Sequence, residues 1–206
     1  MNSNERDSYL TIAMPFRAPD LKVTGSRFIA DLIPASSKGE VESALERIRK
    51  EFYDATHHCY AYRLGINGEL TRAADDGEPS GTAGKPILTV LTGAQLTNIL
   101  CAVTRYFGGT KLGTGGLARA YSEATKLAID GVKTKEVFIK DSIIITSSYE
   151  DHPLLERFLA GYSIQPRESD FSDKVILKID VRRSLAQKFC DDIQEKFFGK
   201  VTIEQG

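Results

Sequence analysis

Apolar and polar positions along this chain follow two periods, and each change of period marks an element. Within Lys22 to Ala35, the run Arg27-Phe28-Ile29-Ala30-Asp31-Leu32-Ile33 predicts a strand closed by Pro34. Ser37 and Glu40 stand at capping-box spacing, where each satisfies a free amide of a helix start. Val41, Ala44, Leu45, Ile48 and Phe52 follow at helical spacing and predict a helix reaching Tyr53. Alternation resumes from His57 to Ile66. Asn67-Gly68 is a two-residue hairpin signal, so Leu70 to Ala74 is expected as the return strand. Pro86 suits the first turn of a helix running to Leu91. Asn98 to Thr104 is nearly all apolar and predicts a buried strand. Leu117, Ala120, Tyr121, Ala124 and Ala128 share one helical face, with Gly131 placed to end it. Residues 1–20, with Pro15 and Pro19, are weakly patterned and read as an N-terminal arm.

A second set of elements starts near Lys135. Val137 to Ser148 predicts a long strand, and a helix from Pro153 carries Leu154, Leu155, Phe158 and Leu159. Ser163 to Ser169 is a weaker strand. Val175, Leu177, Ile179 and Val181 alternate with Ile176, Lys178, Asp180 and Arg182, giving one apolar strand face. Leu185, Phe189, Ile193 and Phe197 mark a helix, and Lys200 to Glu204 a last strand. The order β-α-β-β-α-β is that of the ferredoxin-like split unit. The class is α+β, with domains at 1–134 and 135–206.

Composition and charge remove several alternatives. The three cysteines, Cys59, Cys101 and Cys190, are odd in number and far apart, which fits reduced thiols in a cytosolic protein. No spacing resembles a zinc site. The N-terminus lacks a basic segment followed by an apolar run, so no secretory signal is expected, and no run reaches membrane-spanning length. The net charge is −1, with 27 Lys and Arg against 28 Asp and Glu. Nucleic-acid binding therefore requires a local basic patch rather than a basic domain.

The candidate chemistry lies in two loops that hold eight of the 17 glycines. The first is Asp75-Asp76-Gly77-Glu78-Pro79-Ser80-Gly81-Thr82-Ala83-Gly84-Lys85-Pro86. Its carboxylates lack EF-hand spacing. They are expected to favour the following helix dipole, with Ser80 or Thr82 as the cap. The second runs from Arg105 to Tyr121 and includes Gly113, Gly115 and Gly116, with Arg105, Lys111 and Arg119 as flanking cations. Free amides at a helix start can hold a phosphate or carboxylate, but no Gly-Lys-Ser/Thr follows at Walker spacing. Of His57 and His58, at most one lines a given sheet face; His58 shares its face with Tyr60 and Tyr62. Cys59 and Cys101 fit as small core residues, and no base and orienting partner is evident for Ser80.

Ser26-Arg27-Phe28, His57-His58-Cys59, Asp75 to Pro86, and Arg105-Tyr106 with Gly108 to Tyr121 closely resemble the IMPACT/YigZ family, over Lys22 to Gly131. The second unit resembles the bacterial YigZ type. The resemblance implies a first domain like domain 2 of a small-subunit ribosomal protein, a fold shared with domain IV of elongation factor G. It implies a C-terminal domain like that factor's last, ferredoxin-like domain. Eukaryotic relatives regulate translation by binding a regulator of a stress kinase, partly through a segment that this chain is expected to lack. Thr110-Lys111 departs from members with apolar residues there, and the serine-rich loop of related small-molecule kinases is missing. The expectation is a cytoplasmic, non-enzymatic protein that binds RNA or the ribosome, without cofactor, metal or membrane. Arg27, His58, Asp76, Glu78, Ser80, Thr82, Arg105, Lys111, Gly113, Gly115, Gly116 and Arg119 are its contact residues, arranged as an acidic stretch beside a basic one. The alternatives are an enzyme or binder for a phosphorylated or other anionic small molecule at the glycine loop, and a scaffold for a protein partner.

Overall fold

The computed structural model of the chain describes residues 7–206, which form two compact units, Ser8–Val137 and Phe138–Gly206, with Asp7 belonging to the second. The first unit runs β1 (Ser8–Ile12), β2 (Phe16–Arg17), β3 (Leu21–Val23), β4 (Ser26–Pro34), α1 (Lys38–Glu51), β5 (His57–Leu64), β6 (Leu70–Ala74), α2 (Gly84–Gly93), β7 (Ile99–Tyr106), α3 (Gly113–Gly131) and β8 (Thr134–Phe138). Its main sheet is antiparallel in the order β2-β4-β7-β5-β6, with β3 also on β4. Helix α1 covers one face, packing Val41, Ala44, Leu45 and Ile48 on Tyr60, Tyr62, Leu64 and Leu100. Helices α2 and α3 cover the other, setting Ile87, Leu91, Leu117 and Tyr121 against Phe28, Leu32, Cys59 and Val103. The central strand β7 is thus buried on both faces from Ile99 to Arg105, which is why it reads as a continuous apolar run.

Several expected boundaries move, each for a local reason. The N-terminal arm is not an arm over residues 8–20, its first six residues lying outside those described. β1 pairs with β8, β2 pairs with β4, and Ile12 is in the core. Asn67-Gly68 lies in a hairpin, but the connection spans Gly65 to Glu69. Gly65 is drawn out of the ladder because its N–H donates to Asn98 Oδ1 at 2.8 Å and its carbonyl accepts from Thr97 Oγ1 at 2.6 Å. Ser37 caps α1 by accepting from Glu40 N, while the Glu40 carboxylate reaches back to Ser36 N rather than to Ser37. The long strand expected from Val137 is broken at buried Ile139, between β8 and β9 (Lys140–Ser147).

The second unit continues with α4 (His152–Gly161), β10 (Glu168–Phe171), β11 (Val175–Arg182), α5 (Arg183–Phe197) and β12 (Thr202–Gln205). Its sheet is antiparallel in the order β10-β11-β9-β12. Alternate residues of β9 and β11 meet Leu155, Phe158, Phe189, Ile193 and Phe197 of the two helices. The weak strand expected over Ser163 to Ser169 begins at Glu168 instead. Ser163 takes a left-handed φ of 56° and Pro166 follows, so pairing is delayed. Leu154 and Leu185, expected on the packed helix faces, are about two-fifths exposed at 40% and 43%. Each lies at the first turn of its helix.

Candidate functional site

The two glycine loops meet over the α2–α3 face of the main sheet, and what joins them is a buried polar cluster. The register of β4 with β7 places Phe28 opposite Arg105, and that of β5 with β7 places His57 opposite Arg105. Cross-strand partners share a face, so Arg105 points towards α3. There its Nη1 donates to Glu78 Oε1 at 2.6 Å and its Nη2 to Ser26 Oγ at 3.1 Å. The Tyr121 hydroxyl, carried in by the apolar stripe of α3, donates to the same Glu78 oxygen at 2.8 Å. The Cys59 Sγ lies 3.2 Å from that hydroxyl and 2.9 Å from the Asp75 carbonyl. Phe28 and Phe107 flank the guanidinium, with ring centres 5.4 and 5.5 Å away, a favourable setting for a desolvated cation.

The loop backbones are shaped around this cluster. Ser26 Oγ also accepts from Gly108 N at 3.1 Å, which closes the second loop onto the start of β4. Gly108 needs to be glycine, because a Cβ there would sit 1.9 Å from the Gly25 carbonyl carbon. Asp75 turns inward: its carboxylate accepts from Gly81 N, Ala83 N and Gly84 N at 2.8 to 2.9 Å. Burial alone would raise its pKa, but the three backbone donors win and hold the carboxyl below the usual carboxylate range. Asp75 therefore caps α2, and Ser80 and Thr82 do not. Ser80 is exposed, and the buried Thr82 Oγ1 donates to Pro79 O at 2.6 Å. Asp76, at a φ of 44°, accepts from His58 N at 2.7 Å, and its carbonyl accepts from His57 Nδ1 at 2.8 Å. A carbonyl only accepts, so His57 Nδ1 is the donor in this contact. Its Nε2 stands 3.9 Å from Glu78 Oε2.

The twelve expected contact residues separate into groups. Glu78 and Arg105 are buried partners, so the expected phosphate contact of Arg105 is closed: it is 4% exposed and its charge is spent on Glu78. The expected acidic stretch is likewise turned inward at Asp75 and Glu78. Arg27 and His58 lie on the opposite sheet face, beside α1. Arg27 stacks on Tyr106 at 4.5 Å and pairs with Asp20, while His58 Nε2 donates to Phe52 O at 3.1 Å. Lys111, Gly113, Gly115, Gly116 and Arg119 gather at the start of α3, where Gly113 has a φ of 70° and no side chain caps the helix. Lys111 and Arg119 are exposed. Arg119 Nε donates to Gly115 O, and neither cation has an acidic partner among the described residues. Tyr121 and Ser26 are not among the expected contact residues, and Asp75 is expected only as part of the acidic stretch. The one signal for Tyr121 was a hydroxyl on an otherwise apolar helical stripe.

Chemically the cluster is a clamp. Burial pushes the Cys59 thiol up to about 12, despite the Tyr121 hydrogen bond that opposes it. Burial also raises the Tyr121 phenol. Both stay protonated at neutral pH, as hydrogen-bond partners rather than nucleophiles. Among the described residues no group of three or more His, Cys, Asp or Glu is placed to hold a metal ion. Nor is any helix there long and apolar enough to cross a membrane.

Fold and cluster together define a class of protein, one of two α+β units in which a buried carboxylate, guanidinium and phenol lock two glycine-rich loops. The family model of the Impact N-terminal domain matches residues 24–129, and that of a domain of unknown function, DUF1949, matches residues 145–200. The chain belongs to the IMPACT family. It is 34% identical over 187 residues to IMPACT family member YvyE of Bacillus subtilis (strain 168), covering 91% of this chain and 86% of that protein. It is 31% identical over 185 residues to IMPACT family member YigZ of Escherichia coli (strain K12), covering 89% and 90%. The Protein IMPACT homolog of Dictyostelium discoideum is 40% identical over 91 residues, 43% of this chain and 26% of that protein. A solved structure described as that of a hypothetical protein superimposes with a TM-score of 0.72 at 28% identity, over 98% of both chains.

Proposed function

We propose that this chain is a cytoplasmic, non-enzymatic protein that binds RNA or the ribosome and regulates translation, through the exposed start of α3. The observation that carries this reading is the pair of uncompensated cations, Lys111 and Arg119, flanking an uncapped helix start. Free amides and the helix dipole favour an anion there, and the buried clamp holds the backbone ready for it. Kinship with IMPACT proteins supports a regulatory role in translation. On the same reading the first unit is like a ribosomal-protein domain and elongation factor G domain IV, and the second is ferredoxin-like, like that factor's last domain. The sheet order β10-β11-β9-β12 supports the latter.

The test is ribosome co-sedimentation and RNA filter binding by the Lys111→Glu, Arg119→Glu variant. Both residues are exposed, so the fold survives the change, and association is expected to be lost. Undiminished association in this variant would refute the reading. If one phosphorylated metabolite raises the melting temperature by several degrees while RNA leaves it unchanged, a small anion replaces RNA as the ligand.

A further inference from the structure

Along helix α1 and the β5–β6 edge of the sheet runs an open groove of about 470 Å³ whose lining includes Leu45, Glu46, Arg49, Tyr53, Tyr60 and Arg72. The function proposed for the glycine loops makes no use of it. β6 is the last strand of its sheet. β5 pairs with one of its edges, and among the described residues no hydrogen bond reaches the other. Register sets Arg72 opposite Tyr62, hence on the α1 face. Arg72 is exposed and has no acidic partner among the described residues, whereas Lys50 is paired with Glu46 and Arg49 approaches Asp76. Tyr53, just beyond α1, is 84% exposed.

We propose that this groove receives an extended acidic segment of a partner protein, which adds to β6 as a further strand. An open edge offers a row of N–H and C=O groups that only an extended backbone can match. Alternate side chains of such a strand point to one face, here towards the exposed Tyr53, while Arg72 selects a carboxylate. A second copy of the chain fits poorly. An antiparallel β6 pair centred on its middle residue would set Arg72 against Arg72, and like charges directly opposite are unfavourable. Nucleic acid fits less well too, because Tyr60 is only 8% exposed and offers no face for base stacking.

The experiment is selection of a phage-displayed random peptide library on the full chain, followed by binding of synthetic copies of the enriched peptides. These are expected to alternate acidic and apolar residues and to slow amide exchange in Leu70–Ala74. N-methylation at alternate residues, which removes ladder donors without altering the protein, is expected to abolish binding. Tyr53→Ala and Arg72→Glu should each weaken it by about tenfold, and Lys111→Glu, Arg119→Glu should leave it intact. No enrichment over the unselected library would overturn the proposal. So would selected peptides that bind both groove variants as well as the native chain, or slowed exchange at β6 by an oligonucleotide instead of a peptide.

Discussion

At 4% exposure, Arg105 keeps its charge inside the first unit only because Glu78 and Ser26 receive its donors. Removing one member of a buried ion pair leaves the other uncompensated, at a cost of about 3–5 kcal/mol. Arg105→Ala is therefore expected to lower stability by that amount in urea unfolding. Its effect on RNA association should follow from unfolding, unlike that of Lys111→Glu, Arg119→Glu. Tyr121→Phe removes only the hydroxyl donated to Glu78 and should cost about 1–3 kcal/mol. Combined with Glu78→Gln it should prove non-additive, since the two groups share one hydrogen bond. Gly108→Ala drives a Cβ onto the Gly25 backbone, and a chain as stable as the native one would contradict the contact.

At the scale of elements, the acidic loop acts as a cap. Three amides at and before the start of α2 are satisfied by Asp75 alone, and truncating such a cap costs about 1 kcal/mol. Asp75→Ala should lower the melting temperature at neutral pH. Because the Asp75 carboxyl titrates lower when folded than when unfolded, its contribution is present above the ordinary carboxylate pKa. It is lost as pH falls through the folded value. The native chain should therefore lose its margin over Asp75→Ala in acid; a constant gap between the two melting curves from pH 7 to pH 2 would count against the cap. The expected cap, Ser80 or Thr82, had the right residue type beside the helix. Asp75 reaches the same amides from eight and nine residues back along the chain, a distance that local capping patterns do not cover.

For the whole molecule, the proposed RNA contact has a salt signature. Each phosphate contact on a single strand contributes about 0.7 to the slope of log affinity against log salt, so losing Lys111 and Arg119 should reduce it by about 1.4. An unchanged slope would place the contact elsewhere. The sequence alone determined the α+β class, the core faces of the strands and of most helices, the β-α-β-β-α-β order and the family, because periodicity and glycine-rich loops are local properties. It placed Glu78 and Arg105 in loops of interest but on a surface. Whether a charged loop residue faces water or a partner 27 residues away depends on strand register, and register arises only when β4, β5 and β7 pair. The tertiary structure decided that Arg105 points at α3, that Tyr121 completes the clamp, and that Arg27 and His58 lie on the other face. It left the start of α3 without a side-chain cap and β6 at the end of its sheet.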